Sequence, residues 1–115
     1  LVDLLLRRGA EVDLQDSEGF TALMLAAQEG HERVVELLLQ RGAEVDSQDS
    51  EGWTALMYAA YSSHERVVEL LLLRGAEINM QDRDGETALM RAADNGHERV
   101  VELLLQRGAE IELQD

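Results

Sequence analysis

An internal repeat of 33 residues constrains this chain more than any other feature of its sequence. The tetrapeptide Thr-Ala-Leu-Met begins at residues 21, 54 and 87, and histidine recurs at the same interval, at residues 31, 64 and 97. Glycine follows the same period: Gly9, Gly42, Gly75 and Gly108. A fixed period of about 20 to 50 residues is typical of arrays in which each unit packs only on its neighbours. We therefore expect stacked similar units.

The repeat divides residues 1–115 into one continuous array, which we treat as a single domain. Cutting before each Asp-x-x-Gly-x-Thr segment produces three complete units at residues 16–48, 49–81 and 82–114, here named repeats 1, 2 and 3. Residues 1–15 form half of an earlier unit, and Asp115 begins another. The three repeats are identical in 22 of 33 columns, and no linker separates them.

Each repeat is predicted to contain two short helices. In repeat 1 the first helix spans residues 21–29, with small residues on one face, and Gly30 provides a left-handed stop. The second helix spans residues 32–41, and its Val and Leu residues cover more than one side. Such breadth fits a helix placed between two neighbours. Stacked helix pairs of this kind predict an all-α fold, an α-solenoid.

The composition excludes several classes of protein. No apolar run approaches the about 20 residues of a membrane-spanning helix. The chain has no cysteine, which excludes disulfides and thiolate chemistry. Its net charge is −14, from 24 acidic residues and 10 arginines, and such a charge repels nucleic acid and anionic lipid. We expect a soluble cytoplasmic protein that binds neither nucleic acid nor membranes.

The shared pattern D-x-x-G-x-T-A-L-M-x-A-A-x-x-G-H-x-x-V-V-x-L-L-L-x-x-G-A resembles the ankyrin repeat over essentially the whole chain. The resemblance implies stacked helix–turn–helix units of 33 residues. The family's Thr-Pro-Leu-His is Thr-Ala-Leu-Met here, and we expect Met24, Met57 and Met90 only to pack where the family's histidine forms hydrogen bonds. Ser63 replaces a glycine. A left-handed Ser63 would be strained by roughly 1–2 kcal/mol, so we expect local distortion there.

No set of residues indicates catalysis, a cofactor or a metal site. Equivalent histidines of neighbouring repeats would lie roughly 8–10 Å apart, whereas zinc ligands lie about 2 Å from the metal. We therefore interpret the histidines as framework residues. The paired carboxylates lack the spacing of a calcium loop and are interpreted as solvated turns. These pairs are Asp13 and Asp16, Asp46 and Asp49, Asp82 and Asp84, and Glu110 and Glu112. We expect that the protein is not an enzyme and binds no cofactor.

The columns that differ between repeats contain all four aromatic residues of the chain. The resemblance implies that these columns line a concave face, which is the usual partner-binding surface of the family. The candidate contacts are Phe20, Leu25, Gln28, Trp53, Tyr58, Tyr61, Ser62, Glu86, Arg91 and Asp94. We expect the aromatic rings to lie outside the core, so that removing Trp53 and Tyr61 would abolish binding without lowering the melting temperature.

The predicted function is the binding of a protein or peptide, and the acidic surface favours a partner with some basic character. A structural spacer, or a fragment of a larger ankyrin scaffold, is the alternative. Natural and engineered origins both stay open, because the absence of Lys, Cys and Pro resembles consensus design. Neither end of the chain carries a polar capping unit, which leaves end-to-end self-association open as well.

Overall fold

A computed structural model describes residues 12–109, and within that range the regular structure consists of six α-helices without a β-strand. The helices are α1 Ala22–Glu29, α2 Glu32–Gln40, α3 Ala55–Tyr61, α4 Glu65–Leu73, α5 Ala88–Asp94 and α6 Glu98–Gln106. Each repeat supplies one pair, as the sequence predicts. Most of the half-repeat expected at residues 1–15, and the unit expected to begin at Asp115, lie outside the described residues.

The helix pairs stack in two layers. The first helices pack as α1 on α3 and α3 on α5, and the second helices pack as α2 on α4 and α4 on α6. Within each repeat the two helices also contact each other, so one repeat touches the next along both layers. This arrangement confirms the all-α solenoid.

The core combines small residues in the first layer with branched residues in the second. Ala27 and Ala60 are fully buried, and alanine at these positions lets the first helices approach closely. Val35, Val68 and Leu71 fill the space towards the second helices and are likewise fully buried. Each such Val or Leu stabilises the fold by about 1.5–3 kcal/mol relative to an exposed side chain.

Methionine caps the first helices as well as packing beneath them. The N–H of Met24 donates to Thr21 Oγ1 at 3.2 Å, and the N–H of Thr21 donates to Met24 Sδ at 3.4 Å. Thr54 and Met57 repeat this reciprocal pair at 3.3 and 3.4 Å. The geometry is a capping box in which a thioether stands where Glu or Gln is usual. For Met24 and Met57 the expectation that methionine only packs was wrong, because the sulfur is a weak hydrogen-bond acceptor.

Histidine side chains join consecutive repeats. His64 Nε2 lies 3.0 Å from the carbonyl oxygen of Gln28, and His97 Nε2 lies 2.8 Å from that of Tyr61. A Cβ atom added at Gly30 would lie 2.7 Å from the His64 ring, so that ring would have to shift to accommodate a side chain there. His64 and His97 therefore serve as framework residues, as the sequence predicts, with one link at each of the two seams between repeats 1, 2 and 3.

Ser63 adopts the left-handed conformation, with φ of 61°, and is the only non-glycine residue with positive φ in the described range. Its N–H donates to the Ala60 carbonyl at 3.2 Å, and the next N–H, of His64, donates to Ala59 at 2.9 Å. Helix α1, which Gly30 caps, closes with the two equivalent bonds: the N–H of Gly30 donates to Ala27 and the N–H of His31 donates to Ala26. The expected distortion is therefore absent. Ser63 adopts the left-handed conformation itself, and the two hydrogen bonds that close the helix are retained.

We predict that Ser63→Gly raises the free energy of unfolding by about 1 kcal/mol, because glycine adopts positive φ without the Cβ clash. Urea denaturation followed by circular dichroism measures the change. Ser62→Gly is the matched control: Ser62 has φ of −94°, so glycine there relieves no strain and should lower stability. A Ser63→Gly variant no more stable than the wild type would contradict the prediction.

Candidate functional site

Each repeat opens with a turn that one aspartate organises. In repeat 2, Asp49 Oδ1 accepts hydrogen bonds from the N–H groups of Glu51 and Trp53, both at 2.9 Å. Repeats 1 and 3 have the same pair of bonds with the same lengths. The fifth residue of every repeat, namely Phe20, Trp53 or Glu86, therefore leaves the turn from an equivalent backbone position.

The paired carboxylates are structural and are not simply the solvated turns that we expected. Asp82 is buried, with 7% of its surface exposed. Asp46 Oδ1 accepts a hydrogen bond from the N–H of Glu77 in the next repeat, at 2.9 Å. Asp13 binds the N–H of Glu44 in the same way, at 2.7 Å. These carboxylates therefore satisfy backbone donors of the turns, two of them across a seam. The pair at residues 110 and 112 lies outside the described residues.

The tenth residue of repeats 2 and 3 binds the second oxygen of the turn aspartate. The Tyr58 hydroxyl donates to Asp49 Oδ2. Arg91 donates to Asp82 Oδ2 from Nε at 3.1 Å and from Nη2 at 2.5 Å. Repeat 1 has Leu25 in this column, which has no polar group to donate. Two of the three candidate contacts in this column are thus engaged within their own repeat.

The four aromatic residues form a continuous line of ring contacts. Phe20 and Tyr58 meet edge to face, with ring centroids 5.4 Å apart and planes at 87°. Trp53 lies between Tyr58 at 4.8 Å and Tyr61 at 5.3 Å. Edge-to-face and tilted pairs of this kind are favourable beyond the apolar area they bury. The contacts cross a seam, because Phe20 belongs to repeat 1 and the others belong to repeat 2.

Arg91 extends this line into repeat 3. Its guanidinium carbon lies 4.8 Å from the centre of the Trp53 ring, a cation–π contact. Arg91 also forms ion pairs with Asp84 at 3.4 Å and Glu86 at 3.7 Å. We call Phe20, Tyr58, Trp53, Tyr61 and Arg91 the aromatic row.

The electrostatic environment of the row shifts three pKa values. Burial raises the pKa of Tyr58, and the hydrogen bond to Asp49 raises it further. Burial lowers the pKa of Arg91, but hydrogen bonding and attraction to Asp82 outweigh burial, so the net shift is upwards. Burial also raises the pKa of Glu86; Arg91 opposes this shift, while Asp94 adds to it. Arg91 therefore stays charged, and Tyr58 keeps its proton as a donor.

The candidate contacts differ in how much surface they offer. Tyr61 is 44% exposed and Leu25 is 46% exposed, and both are large apolar side chains. The exposed polar candidates are Gln28 and Asp94, and the half-buried candidates are Phe20, Trp53, Tyr58, Ser62, Glu86 and Arg91. The structure thus brings the aromatic candidates together with Glu86 and Arg91, and it leaves Tyr61 and Leu25 most accessible.

Two rings contribute to the fold as well as to the surface, against our expectation. Trp53 and Tyr58 pack against the edge of the hydrophobic core. Because Trp53 contacts two rings and one guanidinium, we expect its removal to lower the melting temperature, which differs from the expectation drawn from the sequence.

Sequence reasoning missed the residues that hold the row in place. Asp49 and Asp82 occupy a column that is identical in all three repeats, so the sequence indicates only a turn there, although their second oxygens orient Tyr58 and Arg91. Asn95 was also missed: its Nδ2 donates to the Tyr61 carbonyl at 3.1 Å. The available signal was the spacing, because in repeats 2 and 3 a hydrogen-bond donor follows the aspartate of column one by nine residues.

Across residues 12–109 no group of three or more His, Asp or Glu side chains is arranged to hold a metal ion. The same part of the chain has no helix of the length and apolarity needed to cross a membrane.

Comparison with known proteins identifies the repeats. A family model described as "Ankyrin repeats (3 copies)" matches residues 1–82, and one described as "Ankyrin repeat" matches residues 84–115. A search among curated proteins found no match to the chain.

We predict that Trp53→Ala lowers the free energy of unfolding by about 2 kcal/mol, since it removes two ring pairs of about 0.5–1.5 kcal/mol each and one cation–π contact. Tyr61→Ala removes one ring pair and should lower it by about 1 kcal/mol or less. Urea denaturation of both variants tests the difference. Equal losses in the two variants would show that Trp53 does not support the row.

We also predict that stability falls at alkaline pH through Tyr58. A raised pKa in the folded state means that the Tyr58 contribution is complete below about pH 10, where free tyrosine ionises, and is lost as the pH rises towards the folded-state value. Urea denaturation at about pH 8 and about pH 11 should show a larger drop in the wild type than in Tyr58→Phe. Tyr61→Phe keeps the Tyr58–Asp49 hydrogen bond and serves as the control. A drop of equal size in Tyr58→Phe would contradict this assignment.

Proposed function

This chain belongs to the ankyrin repeat family, whose members are generally non-catalytic modules for protein–protein interaction, and we propose that it binds a protein or peptide through the surface around the aromatic row. This surface combines the turns and first helices of repeats 1 to 3. In ankyrin arrays these columns line the concave face. We further propose that the protein has no catalytic activity of its own.

The observation that carries this proposal is the exposure of Tyr61, which contacts a ring already held in place, together with the exposure of Leu25 on the first helix of repeat 1. Trp53 and Tyr58 are fixed by ring contacts, by Arg91 and by Asp49. A surface whose side chains are ordered before binding loses little conformational entropy when a partner arrives. Tyrosine and tryptophan are also the residue types that most often dominate binding energy at interfaces.

Charge favours a partner with basic character. The net charges of repeats 1, 2 and 3 are −5, −3 and −4, so the aromatic repeat 2 lies between two more acidic units. A less charged centre with a polar rim is the usual anatomy of a protein interface. The negative potential would act mainly on the association rate and on partner choice. The cytoplasmic location expected from composition remains a prediction.

The test is to select binding peptides from a random library displayed on phage and to measure their Kd values. We expect the double variant Leu25→Ala/Tyr61→Ala to bind the selected peptides at least about tenfold more weakly, because it removes the two accessible apolar side chains.

The matched control is Leu73→Ala/Leu105→Ala. These two leucines lie on the second helices and are 71% and 40% exposed, so the control removes comparable apolar surface elsewhere. Peptides that bind both double variants as tightly as the wild type would overturn the proposed function. A failure to select any peptide would favour the structural spacer.

A further inference from the structure

The row is chemically asymmetric along the solenoid. In columns five, ten and thirteen, repeat 1 has Phe20, Leu25 and Gln28, and repeat 2 has three aromatic residues, so none of these six side chains is charged. Repeat 3 has Glu86, Arg91 and Asp94 in the same columns, and all three are charged. Because the repeats share one backbone geometry, the surface changes from apolar to ionic between repeats 2 and 3.

The ionic end carries an excess of negative charge. Arg91 is bound by Asp82 and lies 3.4 Å from Asp84 and 3.7 Å from Glu86. Asp94 lies beside Glu86 and raises its pKa. Three carboxylates therefore contact one guanidinium, and Asp94 lies beside one of them. With Arg83 of the same turn included, these four carboxylates and two arginines carry a formal net charge of −2. The side chain of Arg91 is only 16% exposed, so it presents little positive charge to a partner.

A chain of three contacts links the exposed aromatic ring to the carboxylates. Tyr61 contacts Trp53, Trp53 lies under Arg91, and Arg91 contacts Glu86. On the other side, Asn95 donates to the Tyr61 carbonyl and holds the end of α5 against the end of α3. An aromatic face beside carboxylates is a favourable site for an ammonium or guanidinium group.

We infer that the partner presents an apolar side chain to Leu25, Phe20 and Tyr61 and a cationic side chain, lysine or arginine, to Glu86 and Asp94. This inference rests on the proposed function and refines it, because it assigns the two chemistries to opposite ends of the row. An acidic partner side chain is disfavoured, since Arg91 is already neutralised.

The spacing between the two partner side chains follows from the stacking. Neighbouring repeats are about 8–10 Å apart, as packed helices are. An extended peptide advances about 3.3 Å per residue. Glu86 and Asp94 lie one seam from Tyr61 and two seams from Phe20 and Leu25, so the cationic and apolar side chains should lie about three to six residues apart in an extended segment of the partner.

The experiment is a double-mutant cycle between the protein and peptides selected on the wild-type chain. The protein variants are Glu86→Gln, Asp94→Asn and both together, and the peptide variant replaces the basic residue by glutamine. We expect the double protein variant to bind the unmodified peptide about tenfold more weakly than the wild type does. The Kd of the glutamine peptide should be nearly the same for both proteins.

Glu69→Gln/Glu102→Gln is the control, because it removes the same charge from the second helices. It should change binding by less than about twofold. Nuclear magnetic resonance titration of the Glu86 carboxyl provides a second readout, since a bound cation should lower its pKa in the wild-type protein.

Selected peptides without a basic residue, or additive effects in the cycle, would overturn this inference. The proposed function would still stand if Leu25→Ala/Tyr61→Ala weakens the same peptides. If neither pair of variants affects binding, the proposed function fails as well.

Discussion

The close approach of consecutive repeats is the constraint on which the rest of this structure depends. Ala27 and Ala60 are completely buried between the first helices. At the turns, a Cβ atom added to Gly52 would lie 2.8 Å from the backbone nitrogen of Arg83. Because the backbones are this close, a side chain from one turn reaches the first helix of the next repeat. The contacts Phe20–Tyr58 and Trp53–Arg91 both arise in this way.

A fixed backbone also lets the surface chemistry vary while its geometry is retained. The aspartate that begins each repeat orders the turn through one oxygen and leaves the other for the residue in column ten. Tyr58 donates to that oxygen in repeat 2 and Arg91 donates to it in repeat 3, whereas Leu25 of repeat 1 has no group to donate. The row can therefore change from aromatic to ionic over one seam while its framework stays the same.

The sequence was sufficient for the fold, because a 33-residue period and its helix punctuation are local signals that recur at each copy. It also located the columns of the candidate site, since variation stands out against the shared framework. It could not show that Met24 accepts a hydrogen bond from Thr21, because side-chain direction at a helix start depends on the packed rotamer. It also could not show that Ser63 closes its helix without distortion, because that depends on whether the backbone bonds survive.

The sequence by itself determined the solenoid, its acidic charge and the concentration of aromatic residues in repeat 2. Only the tertiary structure decided which of those residues are accessible. Tyr58 and Arg91 turn back to aspartates nine positions earlier, whereas Tyr61 stays exposed, although all three occupy variable columns. The physical reason is that the sequence at a variable position does not by itself set the orientation of the side chain. Its side chain points where partners from its own turn and from the neighbouring repeat hold it.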